Sequence, residues 1–248
     1  MKILTILALV LALTGCGRSA SDRFQGYVEG DLIFVGSDEM GRVETLAVRE
    51  GDRVSVGQPI FSVDRELQVA DVASAEATLT NARATFDRAV SLLKTAAGTQ
   101  KAVDDAQAAL REAEARLVSA RTRLARRQVA SPVEGPVQQV YYRPGELVPA
   151  GRPIVSILPP GNVKVRFFVP EALLPRLSPG GAVAVSCDGC REPITARISF
   201  IARTAEYTPP VIYSLEERAK LVFLVEARPE RPDSLRVGQP VSVALEQK

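Results

Sequence analysis

The pair Cys187 and Cys190 is the part of the sequence whose residue types and spacing most directly offer chemistry. Two cysteines at this spacing can hold a metal ion, exchange electrons or close a disulfide. A structural zinc site needs four ligands, and the chain adds one distant cysteine, Cys16, and no histidine. Redox pairs of the CxxC type stand at a helix N-terminus, whereas the alternating apolar flanks predict strands here. Two interpretations remain: a disulfide that braces a two-residue hairpin turn at Asp188-Gly189, or two free thiols.

The absence of histidine excludes several classes of enzyme site. The 248 residues contain no His and no Trp, and aromatic residues make up only 5%. No Ser-His-Asp triad, Cys-His pair or His-ligated metal can be built from them, and a stacking platform for bases is not expected. A net charge of +2 gives no field that would attract nucleic acid. We therefore expect no enzyme, no catalytic residue, no cofactor, no metal site and no nucleic-acid partner.

The beginning of the chain predicts a signal peptide for export. A charged start precedes an apolar run over residues 3–13, too short for a bilayer span of about 20 residues. The run ends in Leu-Thr-Gly-Cys, which resembles the bacterial lipobox, whose cysteine is lipidated and becomes the mature N-terminus. We predict a lipoprotein signal peptide over 1–15, lipidation of Cys16 and a lipid-anchored tether over 16–23.

A repeated segment is the strongest structural signal. Residues 41–64 and 135–158 match without a gap at a constant offset of 94, with nine identities in 24 positions. The turn glycines recur in register: Gly41, Gly51 and Gly57, then Gly135, Gly145 and Gly151. Alternating apolar residues between these turns predict short strands, and two such halves would share one core.

The two halves are separated by a helical insertion, residues 65–130, which contains no proline and one glycine, Gly98. Apolar residues spaced by three and four predict an antiparallel coiled coil whose arms meet at Gly98 and Thr99. The spaced positions are Val72, Ala75, Leu79, Ala82, Phe86, Ala89, Leu93 and Ala96, then Val103, Ala106, Leu110, Ala113, Leu117, Ala120 and Leu124. Arms of about 30 residues would be roughly 45 Å long. Five arginines near the end of the second arm predict either a solvated face or a contact with another subunit or the exporter: Arg116, Arg121, Arg123, Arg126 and Arg127.

The last third of the chain returns to short apolar segments that predict a small antiparallel barrel. The predicted strands are 163–170, 182–187, 194–202, 221–227 and 236–246, with a further strand at 24–35 and a short helix at 171–177. Residues 24–40 and 159–248 are therefore assigned to an antiparallel β-barrel or membrane-proximal region. The predicted fold class is mixed α+β and elongated.

These features together resemble a known family. The repeat resembles the halves of a biotinyl/lipoyl-type flattened barrel, although the junction has no lysine of the kind that carrier domains modify. With the lipoprotein signal and the inserted hairpin, the whole chain resembles the periplasmic adaptors, also called membrane fusion proteins or HlyD-like secretion proteins. The resemblance implies a split lipoyl-like β-barrel with halves at 41–64 and 131–158 and an α-helical hairpin at 65–130.

The resemblance also implies a function and partners. Such adaptors link an inner-membrane exporter to an outer-membrane TolC-type channel, for efflux or secretion. The segment 205–214 resembles the branch paired with ABC exporters, which favours that class over the RND type. Self-association, as a hexamer, and an inner-membrane lipid anchor in the periplasm are implied as well. The alternative is a periplasmic lipoprotein that binds a solute or envelope component without an exporter.

Three residues near the hairpin tip carry a sharper resemblance. Many adaptors that engage TolC-type channels show Arg, then Leu four residues on, then Ser seven further. Arg88, Leu92 and Thr99 stand at this spacing, with threonine in the third position. The resemblance implies that they contact the channel, through a guanidinium, an apolar side chain and a hydroxyl that closes the turn.

We expect metabolic labelling with palmitate to mark the wild-type protein and not the Cys16→Ala variant, because the thiol is the predicted site of acylation. The label is read from the immunoprecipitated protein. Equal labelling of the two proteins would contradict the lipobox prediction.

Overall fold

The structure, a computed structural model, describes residues 23–207 and 221–245. Of these residues, one compact unit contains 32–159, and the other combines 23–31 with 160–207 and 221–245. The strands of the described residues are β1 (Arg23–Gly30), β2 (Ile33–Gly36), β3 (Gly41–Leu46), β4 (Arg53–Val54), β5 (Pro59–Val63), β6 (Gln128–Ala130), β7 (Gly135–Val140), β8 (Leu147–Val148), β9 (Pro153–Ile157), β10 (Val163–Pro170), β11 (Ala182–Ser186), β12 (Ile194–Tyr207), β13 (Leu221–Pro229) and β14 (Pro240–Leu245). Two long helices, α1 (Glu66–Lys94) and α2 (Gln100–Ala125), complete the mixed α+β fold.

The unit of residues 32–159 contains two four-stranded sheets, in the orders β2-β9-β7-β4 and β6-β5-β3-β8. The sequence repeat is visible in the strands, because β3, β4 and β5 recur 94 residues later as β7, β8 and β9. Each half supplies one short strand to the sheet of the other half: Val54 of β4 pairs with Gly135, and Val148 of β8 pairs with Gly41. Neither half therefore completes a sheet alone.

The core of this unit is formed by apolar residues of both sheets, including consecutive residues of β5 and β9. Its fully buried members include Val43, Val54, Ile60, Val63, Val137, Val148, Ile154 and Ile157. Each such side chain contributes about 1.5–3 kcal/mol relative to an exposed position. Glycine is required where the two pairings begin, since a Cβ at Gly41 would lie 2.6 Å from Asp64 Oδ1 and one at Gly135 would collide with the Leu158 carbonyl oxygen.

The two helices between β5 and β6 pack against each other with unequal burial. Every buried residue of α2 occupies a position of the predicted apolar spacing: Val103, Ala106, Ala113, Leu117 and Ala120. No residue of α1 is buried. The larger side chains of α1, such as Leu79 and Phe86, are only half-buried because a single neighbouring helix covers them. Within the described residues, no helix is both long and apolar enough to cross a membrane.

The connection between the helices is a helix C-cap with an unusual residue. The amide of Ala96 donates to the Leu93 carbonyl (3.0 Å) and the amide of Ala97 to the Leu92 carbonyl (2.9 Å), the pattern of a Schellman motif. The left-handed position of that motif is Ala96, with φ of 55°. The sequence predicted the break at Gly98, which instead packs closely, since a Cβ there would lie 3.1 Å from Leu92 Cβ.

The second unit is a closed antiparallel barrel with the strand order β1-β10-β13-β12-β11-β14. Along β10, Val163, Val165, Phe167 and Val169 are buried and alternate with residues of the outer face. This strict alternation explains why the sequence predicted strands here, and the predicted barrel of antiparallel strands is confirmed. The short helix predicted at 171–177 is a 3₁₀ helix over Glu171–Arg176.

Three predicted boundaries are wrong. Residues 24–35 are not one strand: the chain breaks after β1, and β2 pairs with β9 in the other unit, so residues 33–40 do not belong to the barrel. The helical insertion ends before residue 128, because β6 pairs with β5. The last strand begins at Pro240 and not at 236. The predictions for the signal peptide, Cys16, residues 16–22 of the tether and residues 208–214 lie outside the described residues.

We expect Ala96→Gly to stabilise the helical pair by about 0.5–1 kcal/mol. The left-handed conformation costs alanine about 1–2 kcal/mol, and the greater freedom of glycine in the unfolded chain offsets about 0.4–1 kcal/mol of the gain. Urea unfolding followed by far-ultraviolet circular dichroism measures the change. The matched control is Ala97→Gly, where φ is not positive and a small loss of stability is expected.

Candidate functional site

The structure places the three predicted contact residues at one end of the helical pair. Arg88 and Leu92 lie in the last two turns of α1, and Thr99 directly precedes α2. Leu92 is 50% exposed. The Arg88 guanidinium is exposed and donates through Nη2 to Thr85 Oγ1 (3.0 Å). Thr99 Oγ1 accepts a hydrogen bond from the Ala102 amide (3.2 Å) and so caps α2.

The first turns of α2 carry a compact set of charges next to this tip. Lys101 Nζ lies 2.7 Å from Asp105 Oδ2, and Gln100 donates to Asp104 (2.8 Å). The hydrogen bond with Asp105, and then its charge, raise the pKa of Lys101, which is fully exposed. The carboxylates also lie near the positive end of the helix dipole, where negative charge is favourable. The tip therefore offers both signs of charge around an exposed leucine.

The two sides of the helical pair differ. One side is bridged between the helices by ion pairs, Glu76 with Arg121 (2.7 Å) and Arg83 with Glu114 (3.8 Å). The other side carries a groove of about 260 Å³, lined by Thr78, Asn81, Ala82, Thr85, Ala109, Glu112, Ala113 and Arg116. Helical spacing of three and four continues the rim of this groove to Arg88 and Leu92. We call this surface, from Thr78 to Leu92 with the facing residues of α2, the groove side.

The base of the helical pair is fixed by Arg127, which the sequence placed in the solvated basic run. That prediction is wrong for this residue, because two carboxylates and a backbone carbonyl enclose its guanidinium. The Arg127 side chain is 9% exposed, and its Nη2 lies 2.7 Å from Glu39 Oε2. Its Nη1 donates to the Met40 carbonyl (3.0 Å) and lies 3.7 Å from Asp64 Oδ1. With its amide oxygen turned toward the guanidinium, Gln68 accepts from Arg127 Nε at 3.2 Å. One cation thus ties α1, the end of α2 and the loop before β3 together.

The basic run before Arg127 behaves as the sequence predicted for a solvated face. Arg116 pairs with Glu112 within α2, and Arg126 lies 3.9 Å from Asp38 with its side chain 59% exposed. No pattern in the sequence separates Arg127 from its neighbours; in the structure it differs from them in lying two residues after the end of α2, directly before β6.

The barrel carries a second charge cluster on the outer face of β1, β10 and β13. Arg166 Nη1 lies 2.9 Å from Glu29 Oε2, and Lys164 Nζ lies 3.2 Å from Asp31 and 3.3 Å from Glu226. Burial alone would lower the pKa of both cations, but hydrogen bonds to these carboxylates, together with their charges, raise the pKa of Lys164 and of Arg166. The cluster is paired internally and stabilises the contact of three strands.

Cys187 and Cys190 form a disulfide in the structure, with their Cα atoms 5.2 Å apart. The predicted two-residue hairpin is wrong, because β11 ends at Ser186 and β12 begins at Ile194. The disulfide instead spans a turn inside a longer connection, in which the Cys190 amide donates to the Cys187 carbonyl (3.0 Å) and Gly189 has φ of 87°. Among the described residues no three His, Cys, Asp or Glu side chains gather as a metal site.

The comparisons with known sequences cover about half of the chain. No protein-family model matches it. A UPF0194 membrane protein of Acidithiobacillus ferridurans is 31% identical over 129 residues, which cover 49% of this chain and 38% of that protein. A UPF0194 membrane protein of Yersinia pestis is 31% identical over 120 residues, which cover 48% of this chain and 37% of that protein. The chain spans less than two fifths of the length of these curated relatives.

The comparison of structures covers nearly the whole chain. The membrane fusion protein Spr0693 of Streptococcus pneumoniae R6 has a TM-score of 0.71 at 20% identity, over 91% of this chain and 100% of that chain. This chain therefore has the fold of the membrane fusion proteins, and the resemblance predicted from the sequence is confirmed as a likeness of fold.

We expect Arg127→Met to destabilise the unit of residues 32–159 by about 2–3 kcal/mol, because the change leaves Glu39 and the Met40 carbonyl without their buried donor. Arg126→Met is the matched control, since its exposed partner lies 3.9 Å away and a change below about 0.5 kcal/mol is expected. Urea unfolding of both variants measures the difference. Equal stability of the two variants would show that the buried network does not hold the base.

Proposed function

We propose that this protein is a lipid-anchored periplasmic adaptor that links an inner-membrane exporter to an outer-membrane TolC-type channel. The observation that carries the proposal is the fold, in which a helical pair is inserted between the interlocked halves of a two-sheet unit and the rest of the described chain forms a closed barrel. The likeness to membrane fusion proteins supports the same role. The protein acts as a mechanical link and not as an enzyme.

Each part takes a role in this proposal. The two-sheet unit is a split lipoyl-like barrel, and the helical pair is its inserted hairpin. The lipid on Cys16 holds the chain at the inner membrane, where the barrel lies close to an ABC exporter or an RND exporter. Several copies, six in the family pattern, surround one conduit for efflux or secretion.

The contact with the channel is assigned to the groove side of the helical pair. Among the described residues, this side shows no interhelical ion pair like those that bridge the opposite side, so the groove between the helices is not covered by long charged side chains and a helix of a partner can approach it. Leu92 is the exposed apolar side chain at its end, and Arg88 is next to it. Arginine is among the residues enriched at the centre of interfaces, and the exposed leucine beside it adds apolar area that a partner can bury.

We expect Leu92→Asp to reduce crosslinking to a co-expressed TolC-type channel, and export with it, by more than about tenfold, because an unpaired charge in a buried contact costs several kcal/mol. Circular dichroism should show an unchanged helix content, since Leu92 is half exposed. Leu93→Asp, at a half-buried position of the apolar seam, should instead lower the stability of the helical pair.

The matched control is Val118→Asp, at an aliphatic residue that is 65% exposed and lies on the ion-paired side of α2. Crosslinking and export should remain at the wild-type level in this variant. Full crosslinking by Leu92→Asp, or equal losses in Leu92→Asp and Val118→Asp, would overturn the assignment of the contact to the groove side.

A further inference from the structure

The disulfide between Cys187 and Cys190 contributes little to the stability of the barrel. The flanking strands β11 and β12 are joined by four register pairs, from Ala182 with Arg197 to Val185 with Ile194. Their inward side chains Val183, Val185, Ile194 and Ala196 are all buried. A crosslink that closes only four residues reduces the entropy of the unfolded chain little. The ladder and the core therefore hold the two strands without the covalent bond.

The disulfide lies at an open groove. The groove has a volume of about 520 Å³, and both cysteines contribute to its wall. Its charged groups are the guanidinium groups of Arg191 and Arg231 and the carboxylates of Asp188 and Glu192.

The rest of the wall is positioned by its own hydrogen bonds. Ser234 Oγ donates to the Arg231 carbonyl (2.6 Å), and Gln239 Oε1 accepts from the Arg236 amide (3.0 Å). The groove is therefore a formed surface on the barrel unit, and two arginines and two acidic residues line the same space as the two cysteines. Their charges balance, so a thiolate that enters from solvent meets no net repulsion, and loss of either arginine would leave the groove negative and disfavour its approach.

We propose that the Cys187–Cys190 disulfide is a thiol–disulfide exchange site that takes a dithiol, or two monothiol molecules, as its co-reactant. A thiolate of the co-reactant attacks one of the two sulfur atoms, the bond between Cys187 and Cys190 breaks, and the other cysteine leaves as a thiolate. The second thiol of the co-reactant then loses its proton and attacks the mixed disulfide. Two electrons and two protons pass in total to this chain, which ends with two thiols, while the co-reactant ends with a disulfide.

The exchange has a local structural consequence. The crosslink is the covalent tie across the turn whose remaining closure is the hydrogen bond from the Cys190 amide to the Cys187 carbonyl. Its reduction frees residues 187–193, which form one wall of the groove, while the strands on both sides stay paired. The inference is independent of the adaptor function, because it invokes no exporter, channel or membrane.

The test uses the purified full chain and reduced glutathione, an anionic thiol, without denaturant. Free thiols are alkylated at each time point, and mass spectrometry reports the peptide that contains residues 187–190. We expect the folded chain to react within about tenfold of the rate of the urea-unfolded chain, since exposed disulfides are the labile ones. The circular dichroism of the barrel strands should not change on reduction.

The arginines provide the discriminating variants. Arg191→Gln and Arg231→Gln should each slow the reaction about threefold, and the difference should shrink at high salt, because the effect is electrostatic. Arg203→Gln is the matched control, an exposed arginine of β12 that does not line the groove, and its rate should equal that of the wild type. A folded chain that reacts more than about a thousandfold slower than the unfolded chain would overturn the proposal, since local protection of that size means a closed site. Equal rates in all three variants would overturn the role of the groove cations.

Discussion

The reciprocal exchange of short strands between the two repeats is the constraint on which the unit of residues 32–159 depends. Because β4 completes the sheet of the second half and β8 that of the first, each half leaves unpaired backbone groups until the other half is in place. Association of the halves and completion of the sheets are therefore one event. The insertion between the halves has to return the chain to its starting point, and it does so because β5 and β6 are hydrogen-bonded neighbours.

The helical pair meets that requirement by two different means. Along its length, small and large residues alternate in the seam, which lets α2 bury its side of the contact under α1. At its base, where the seam ends, the helical pair is held by the charge of Arg127, which contacts Glu39, Asp64 and Gln68. Gly41 lies against this network, so a residue with a side chain would displace either Asp64 or Arg127. The repeat glycine and the buried arginine therefore belong to one arrangement.

Most of the architecture could be predicted from the sequence, because the signals for it were periodic. A constant offset of 94 residues marked equivalent strands, and the seam spacing named all five residues that α2 buries. The features that could not be predicted from the sequence depend on contacts between residues that are distant in the chain. The apolar run over residues 24–35 did not show that the chain changes units at Asp31, and no local pattern distinguishes Arg127 from Arg126. The left-handed residue at the tip was assigned to Gly98 on propensity, whereas the chain ends α1 earlier and places Ala96 there.

Because β5 and β6 are neighbours in one sheet, the length of the helical pair between them can change without a change in the sheet. Ser62 lies opposite Gln128, so both ends of the insertion leave the sheet at one place and the sheets impose no length on it. Seven residues added to each helix would lengthen the pair by about 10.5 Å and turn its end by only about 20°. Four residues added to each helix would turn that end to a different side. The length of the helical pair can therefore change in steps of one heptad, while its base and the side that it presents at the far end stay the same.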